Sequence, residues 1–470
     1  MRKLDSGRRF LSCILLSNLF CLATARGQVL PKLAHYPGDS VCKDYFTNHL
    51  SPLRKLTQST GRLLLCELTP LAVDRYIRHM DYANISFQTI GNNVKLQSWG
   101  WDDDGFTTNQ FGHPYHGSSF FNAFRSNGYN FWQSSLATFT GSYLWETVAE
   151  NQPPAPNDFI NTGFGGTILG EMTHRFANKI INNRARGFKR QAGEIVAFII
   201  NPVNGFARIT EGKWGRVLPA ANDRDSTPMS VEFDVGARRI APDNKKESSG
   251  LYAHIKLIYG PAFENYKMPF SHIYINAELG RDDSSKLNLL SVYGSITGWQ
   301  SDAMQRRKQL ALLTANYDYI HNSAFFYSAQ SLKFNIYNPI FTTKSFKVNS
   351  IAGAGPVLLA AVPDKHAYED RYYDYCSGLG VHGVINAALF NRFNFTASFR
   401  GGWLKTLNGM GSYYFLKTVT AEIAARVFKR FFICAESGHF SLYCNYVQYK
   451  SVNQKYPYLR LSIRYSLSAR

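Results

Sequence analysis

Leu459-Arg460-Leu461-Ser462-Ile463-Arg464-Tyr465-Ser466-Leu467 alternates apolar and polar side chains almost to the end of the chain, which closes at Arg470. A period of two describes an extended strand with one apolar and one polar face. Placed at the C-terminus, behind the export signal described below, such a strand predicts a β-barrel closing on itself in a lipid bilayer.

The same alternation recurs upstream. Ile273, Ile275, Ala277 and Leu279 oppose His272, Tyr274, Asn276 and Glu278. Phe393, Phe395, Ala397, Phe399 and Trp403 oppose Arg392, Asn394, Thr396, Ser398 and Arg400. Val419, Ala421, Ile423, Ala425 and Val427 oppose Thr418, Thr420, Glu422 and Arg426. These segments are longer than the ~5–6 residues usual in soluble sheets and reach the ~9–11 that cross a bilayer. Their apolar faces are rich in Phe and Tyr. About twelve strands are expected, near residues 229–238, 251–260, 271–280, 287–298, 308–319, 323–335, 344–354, 373–389, 392–403, 411–427, 430–449 and 458–468. The span 430–449 has room for two, and the total should be even, between ~10 and 14. The fold class is therefore an all-β transmembrane barrel of antiparallel strands.

Residues 1–25 read as a secretory signal: Arg2, Lys3, Arg8 and Arg9, a short apolar run from Leu11 to Leu22, then Ala23-Thr24-Ala25 as a cleavage site. Four domains follow from this reading: the signal at 1–25, a periplasmic segment at 26–97, a helical region at 98–225 and the barrel at 226–470. The placement implied is the outer membrane of a Gram-negative cell. No stretch of 18 apolar residues suits a transmembrane helix. Aromatic residues make up 15% of the chain, as membrane-interface girdles require. The formal charge is +19, or +16 without the signal. In the envelope the partners this charge selects are outer-membrane lipid or lipopolysaccharide. No nucleic-acid motif is present, so no nucleic-acid partner is expected. Five cysteines follow the signal; Cys42–Cys66 and Cys434–Cys444 are candidate disulfides, against the alternative that all are buried thiols.

Residues 118–182 have a different texture. Ser119 to Glu150 contains no proline, and Ser135, Ser142, Glu146 and Glu150 fall on one helical stripe. Pro153, Pro154 and Pro156 end that helix, and Asn157 or Asp158 caps a second one running to about Asn182. Gly166 and Gly170, four apart, allow another backbone close approach. Together these features predict a tight helical hairpin in the barrel lumen or at its periplasmic mouth. Its polar seam would plug the pore by pairing with lumen-facing Arg392, Arg400, Arg460 and Arg464.

This region resembles DUF3943, a bacterial envelope family of unknown function. The resemblance is carried by Trp101-Asp102-Asp103-Asp104, by Asn109 to Ser118, by Phe121 to Gly128, by Phe131-Trp132-Gln133-Ser134, by Trp145-Glu146 with Glu150, by Pro156 to Ile160 with Thr162, and by Gly165-Gly166 with Leu169-Gly170-Glu171. It spans about residues 98–205. Ala155 departs from the family pattern, where serine is expected. The resemblance implies an envelope location and a helical hairpin ahead of a barrel, and brings no activity with it.

The chemistry-bearing residues are His113, Ser118, Glu146, Glu150, Asp158, Glu171 and His174. Carboxylates gathered in a dry seam shift one another's pKa and act as acid–base pairs, and Ser118 or Ser142 beside a histidine could supply a nucleophile. The alternative is that these groups pin the hairpin through hydrogen bonds and ion pairs. No GxSxG, HExxH or phosphate-cradling loop occurs. Asp102-Asp103-Asp104-Gly105 reads as a solvated acidic turn rather than a calcium loop. Arg184, Arg186, Lys189 and Arg190 form a basic run after the second helix, facing lipid phosphate or solvent. No cofactor or metal is implied. The functional expectation is a structural or transport-related barrel with a helical plug. Its alternatives are a membrane-embedded hydrolase acting on lipid or lipopolysaccharide, and an accessory subunit of a larger envelope complex that binds through residues 26–95.

Overall fold

The structure is a computed structural model and describes residues 51–217, 225, 227–241, 243, 247–280, 285–304, 307–322 and 325–469. The signal segment and Cys42 lie outside the described residues. The chain divides into two units. One is built from the described residues up to Asp104 and from Gly112–Asp225; the other comprises Gly105–Phe111 and Ser226–Arg470.

The second unit is a closed antiparallel barrel. Its strands are β1 (Met229–Ile240), β2 (Ser248–Tyr259), β3 (Ile273–Gly280), β4 (Leu287–Met304), β5 (Arg307–His321), β6 (Phe326–Thr342), β7 (Phe346–Tyr368), β8 (Arg371–Leu389), β9 (Phe393–Asn408), β10 (Tyr413–Phe428), β11 (Phe431–Asn445) and β12 (Val452–Ala469). Each pairs with its sequence neighbours. β12 closes the ring on β1, in a register running from Met229 opposite Ala469 to Ile240 opposite Tyr458. All twelve expected strands are present, and residues 431–445 form one strand rather than two.

The two faces divide as the alternation requires. On β12, Leu461 and Ile463 are 56% and 62% exposed, whereas Arg464 is 4% exposed. Phe395, Phe399 and Trp403 on β9, and Phe415, Val419 and Ile423 on β10, also point outward and are exposed. An apolar exterior belt of this kind is stable only against hydrocarbon, and ring closure leaves no unpaired strand edge there. Among the described residues, Cys66, Cys376, Cys434 and Cys444 form no disulfide with one another. Cys434 and Cys444 share strand β11 ten residues apart, ~33 Å at the strand rise, so the disulfide expected between them cannot form.

The inward face is filled by its own side chains. Arg464 on β12 donates to Asp234 on β1 and to Glu422 on β10, with Nε–Oδ1 at 2.6 Å and Nη2–Oε2 at 2.7 Å. Lys256 on β2 reaches Glu422 at 2.9 Å. Arg460 bridges Glu278 on β3 (2.6 Å) and Glu436 on β11 (3.2 Å). Arg400 on β9 meets Asp318 on β5 at 3.7 Å. The lumen arginines expected to hold a helical hairpin are thus matched by the barrel's own carboxylates; Arg392 is exposed. Toward the barrel end away from Met229 and Ala469 the lumen becomes apolar. Leu404, Leu416, Leu442, Tyr414, Tyr456 and Phe325 form one buried cluster there.

Residues Gly105–Phe111 pack on the barrel wall. Phe106 stacks on Tyr319 at 5.6 Å and meets Phe326 and Tyr373. Asn109 donates through Nδ2 to the hydroxyls of Tyr373 (3.1 Å) and Tyr375 (2.8 Å), and the Tyr317 hydroxyl donates to the Gln110 carbonyl at 2.6 Å. These tyrosines alternate with the lumen residues Asp318 and Asp374, so they lie on the outward side of β5 and β8.

The first unit is helical: α1 (Pro52–Tyr76), α2 (Phe87–Asn93), α3 (His113–Arg125), α4 (Phe131–Leu144), α5 (Pro156–Ile160), α6 (Gly166–Ile180), α7 (Gly187–Ile200) and α8 (Pro202–Thr210). No described helix is long and apolar enough to cross a membrane. The expected hairpin is more broken than its sequence reads. Its first arm splits into α3 and α4 at Gly128, whose φ of +75° a helix cannot continue through. The second arm is capped at Ala155, with Pro156 in the first helical position, rather than at Asn157 or Asp158. The small-residue expectation holds. A Cβ on Gly166 would collide with the backbone of Gly117, and one on Gly170 with Phe121, so α3 and α6 touch backbone to backbone.

Candidate functional site

Three π-helical turns, Thr108–Gly112, Trp145–Ala149 and Asn161–Gly165, interrupt the region around the expected site residues. Such turns occupy well under 1% of residues in proteins and concentrate at functional sites. Here one precedes His113, one contains Glu146 and one contains Thr162.

His113, Asp158 and Thr162 come together. His113 Nε2 lies 3.5 Å from Asp158 Oδ1, and its Nδ1 lies 3.3 Å from the Thr162 hydroxyl. Asn157 Nδ2 donates to Asp158 Oδ1 at 2.8 Å, while Asn157 Oδ1 accepts from the backbone N–H of Asp102 at 3.0 Å. The acidic run at 102–104 therefore opens at the site before turning outward. Asp103 and Asp104 are exposed, and the Asp104 N–H donates to Asp102 Oδ2 at 2.9 Å.

Glu146 and Glu150 form the next group. Glu146 is 1% exposed; Oε2 accepts the Ala155 N–H at 2.9 Å, and Oε1 has no hydrogen-bond partner among the described residues. The Trp145 indole N–H donates to Glu150. His116 packs edge-on against Trp145 at 4.5 Å, and its Nε2 lies 3.1 Å from the Cys66 carbonyl. That contact brings α1 to the site with Glu67, which is buried and has neither carboxylate oxygen paired among the described residues.

Among the described residues no lysine or arginine pairs with this group, and the titrations reflect that. Burial, reinforced by Glu150, pushes Glu67 up to about 8. Burial raises Glu150 to about 7, against the opposing hydrogen bond from Trp145. Glu146 and Asp158 are raised well above the usual carboxylate range, first by burial and then by neighbouring carboxylates. Burial lowers His113 to about 4, so its imidazole is neutral. The chemistry on offer is the holding and exchange of protons among carboxylates near neutral pH.

Glu171 and His174 belong to a different set. Glu171 is fully buried between Arg125 (Nε–Oε2, 2.8 Å) and Arg175 (Nε–Oε1, 2.8 Å). Burial alone would raise its carboxyl, but the two guanidinium groups outweigh burial and hold it at about 2. Burial, with Arg125 next, lowers His174 to about 3; its Nε2 lies 3.0 Å from Asn178 Nδ2. This is an ion-paired brace between α3 and α6.

The serines are not poised for attack. Ser118 donates to the Tyr115 carbonyl at 2.6 Å and Ser142 to the Phe159 carbonyl at 3.3 Å, so both hydroxyl protons are committed to backbone. Among the described residues no group of three or more His, Cys, Asp or Glu is spaced to hold a metal ion. Sequence reasoning passed over Glu67, His116 and Asn157 as site members. Glu67 lies outside the family resemblance. His116 stood in its motif as an unassigned polar residue, and Asn157 was read as a helix cap.

Barrel and site together define a closed transmembrane β-barrel of outer-membrane type that carries a helical unit with a buried acid–histidine seam. Residues 98–203 match the family described as DUF3943, domain of unknown function. No curated protein matches the chain. Among solved structures, the KdgM porin is similar at 10% identity over 50% of this chain and 99% of that one, with a TM-score of 0.26. An outer membrane channel from Pseudomonas putida F1 is similar at 8% identity over 52% and 96%, with a TM-score of 0.30. The Pseudomonas putida toluene transporter TodX is similar at 7% identity over 52% and 89%, with a TM-score of 0.22. The likeness to each is one of barrel fold.

Proposed function

We propose that this protein is a structural barrel of the bacterial outer membrane, its lumen shut by its own wall, that holds the helical DUF3943 region in the envelope. The observation that carries this reading is the set of paired side chains spanning the lumen, from Arg464, Asp234 and Glu422 to the apolar cluster around Phe325. The sequence reading assigned closure to a helical plug; wall side chains are sufficient for it. A passive transport role needs an open path through these contacts, so single-channel recording in planar bilayers tests the reading directly. The partners proposed are outer-membrane lipid or lipopolysaccharide around the apolar exterior.

Two narrower readings attach to the helical unit. Helix α1 exposes Leu53, Leu56, Leu64, Leu65 and Leu68, the surface that membership of an envelope complex calls for. Cross-linking from cysteines placed at Leu64 and Leu68 in cells tests it: adducts to other envelope proteins support it, and their absence at both sites removes it. Lipid hydrolysis is the other reading. It rests on His113 beside Asp158 with Glu146, Glu150 and Glu67 as the proton reservoir, and not on Ser118. Hydrolysis of phospholipid or lipopolysaccharide that is lost in both Asp158→Asn and Glu146→Gln supports it. Full activity in those variants, or none in the parent, rejects it.

A further inference from the structure

The barrel end that carries Met229 and Ala469 also carries a basic arc along the rim, across the β6–β7, β8–β9 and β10–β11 turns. Backbone hydrogen bonds stitch its turns together. The Phe390 N–H donates to the Ser345 carbonyl at 2.7 Å, the Arg426 N–H to the Arg392 carbonyl at 2.8 Å, and the Ser466 N–H to the Arg430 carbonyl at 2.9 Å. Along this arc lie Lys344, Lys347, Arg392, Arg426, Lys429 and Arg430, all exposed. None of the six forms an ion pair among the described residues, and residues 338–347, 387–397 and 423–433 contain no Asp or Glu. The other end of the same strands is different: the β7–β8 turn there is Glu369-Asp370, flanked by Asp364 and Asp374.

Aromatic rings are interleaved with these cations. Arg392 lies 5.8 Å from the Phe393 ring, Arg426 5.3 Å from Phe432 and Lys429 5.1 Å from Phe428. Arg430 Nη1 donates to the Tyr465 hydroxyl at 3.5 Å. Aromatic side chains mark the level of lipid headgroups, and unpaired Lys and Arg at that level face headgroup phosphate. The turns at 343–345, 390–392 and 429–430 are short, as the periplasmic turns of outer-membrane barrels are. Taking this end as the periplasmic one, the leaflet beside it is phospholipid.

We propose that this rim binds the headgroups of anionic glycerophospholipids in the periplasmic leaflet, with Arg392, Arg426, Lys429 and Arg430 as its centre. This inference deepens the lipid partnership proposed above and rests on the barrel's place in the bilayer. It makes the rim a lipid-selective surface that sets the barrel's depth and tethers one side to anionic lipid.

The test uses the full chain in nanodiscs of phosphatidylcholine containing a minor fraction of phosphatidylglycerol. After extraction, the lipid still bound is quantified by mass spectrometry. The expected result is enrichment of phosphatidylglycerol over its bulk ratio, weakening as salt screens the charges. Replacing Arg392, Arg426, Lys429 and Arg430 with Gln should lower that enrichment by about fivefold or more, the order of one basic residue's effect at a charged membrane surface. Lys365→Gln with Lys450→Gln and Lys455→Gln, away from this rim, should leave it unchanged. If the quadruple variant does not fold, the pairs R392Q/R426Q and K429Q/R430Q read the same effect. Unselective lipid retention by the parent overturns the proposal, as does unaltered enrichment in the folded variants. Displacement of the lipid by inorganic phosphate also overturns it, because the rim would then be a general anion surface. None of these results bears on whether the lumen conducts, so the two readings fail separately.

Discussion

Phe325 and Phe440 meet with their ring centroids 4.0 Å apart, although they come from opposite sides of the barrel. Phe325 leads into β6 and Phe440 sits on β11, five places away round a ring of twelve strands. Tyr456 on β12 joins them at 5.7 Å from Phe325. A contact of this kind occupies the axis of the lumen, where solute would have to pass. Below it, Arg400 on β9 lies 5.6 Å from the Tyr293 ring on β4, again across the interior.

The ionic layer should be costly to disturb. Arg464 is 4% exposed and is shared by Asp234, Glu422 and Glu232, so Arg464→Met removes the cation common to all three and leaves Glu422 with Lys256 and Asp234 with His254. Breaking a buried network on one side costs about 3–5 kcal/mol. Urea unfolding in detergent micelles, followed by tryptophan fluorescence, should show that loss. Arg464→Lys should recover only part of it, because an ammonium cannot reproduce the forked contacts to Asp234.

The helical unit should weaken as pH rises above neutrality. Glu67 and Glu150 titrate at about 8 and about 7 in the fold, against an ordinary value near 4.5. The folded unit therefore holds protons that the unfolded chain has released, and stability falls as pH climbs through that interval. His113 works in the opposite sense. Lowered from 6.5 to about 4, it makes stability fall as pH drops between those values. The two effects oppose below pH 6.5, and only the carboxylates act above it. Hydrogen exchange in α1 and α4, corrected for intrinsic rate, should be slower at pH 6.5 than at pH 8. Glu67→Gln should flatten the difference.

Backbone contact between α3 and α6 yields a steric prediction. Gly166→Ala forces a methyl group into the Gly117 backbone, and no side chain can move aside. Overpacking of this kind costs about 1–3 kcal/mol or more. Gly61→Ala, on α1 with open space around it, should be neutral or slightly stabilising. Circular-dichroism melts of the two variants should differ in sign or clearly in size.

Much of the barrel was legible because the period-two pattern reports which face is buried, and lipid makes the outward face uniformly apolar. Strands such as Phe393–Asn408 were located within a few residues. β7 was not: Phe346–Tyr368 extends well beyond the expected 344–354, since Val357 and the run Leu359 to Val362 are buried on both faces and lose the alternation. The acid–histidine seam was legible in part. Glu146, Asp158 and His113 were named from a motif, and the structure brings them near one another. Glu171 and His174 were grouped with them by helical spacing, but Arg125 and Arg175 hold Glu171 in a separate ion-paired brace, and His174 beside it contacts Asn178. Glu67 could not be placed, because its role arises from the contact between Cys66 and His116, fifty residues apart in sequence. The break at Gly128 depends likewise on Asn127, whose side chain reaches Ser59 and Arg62 on α1.

The central claim is that the wall closes its own lumen, and single-channel recording of the purified full chain in a planar bilayer tests it most directly. The account predicts no steady conductance from the parent protein, with openings appearing when Phe325→Ala and Phe440→Ala are combined with Arg400→Ala. Steady porin-like conductance from the unmodified protein would contradict it.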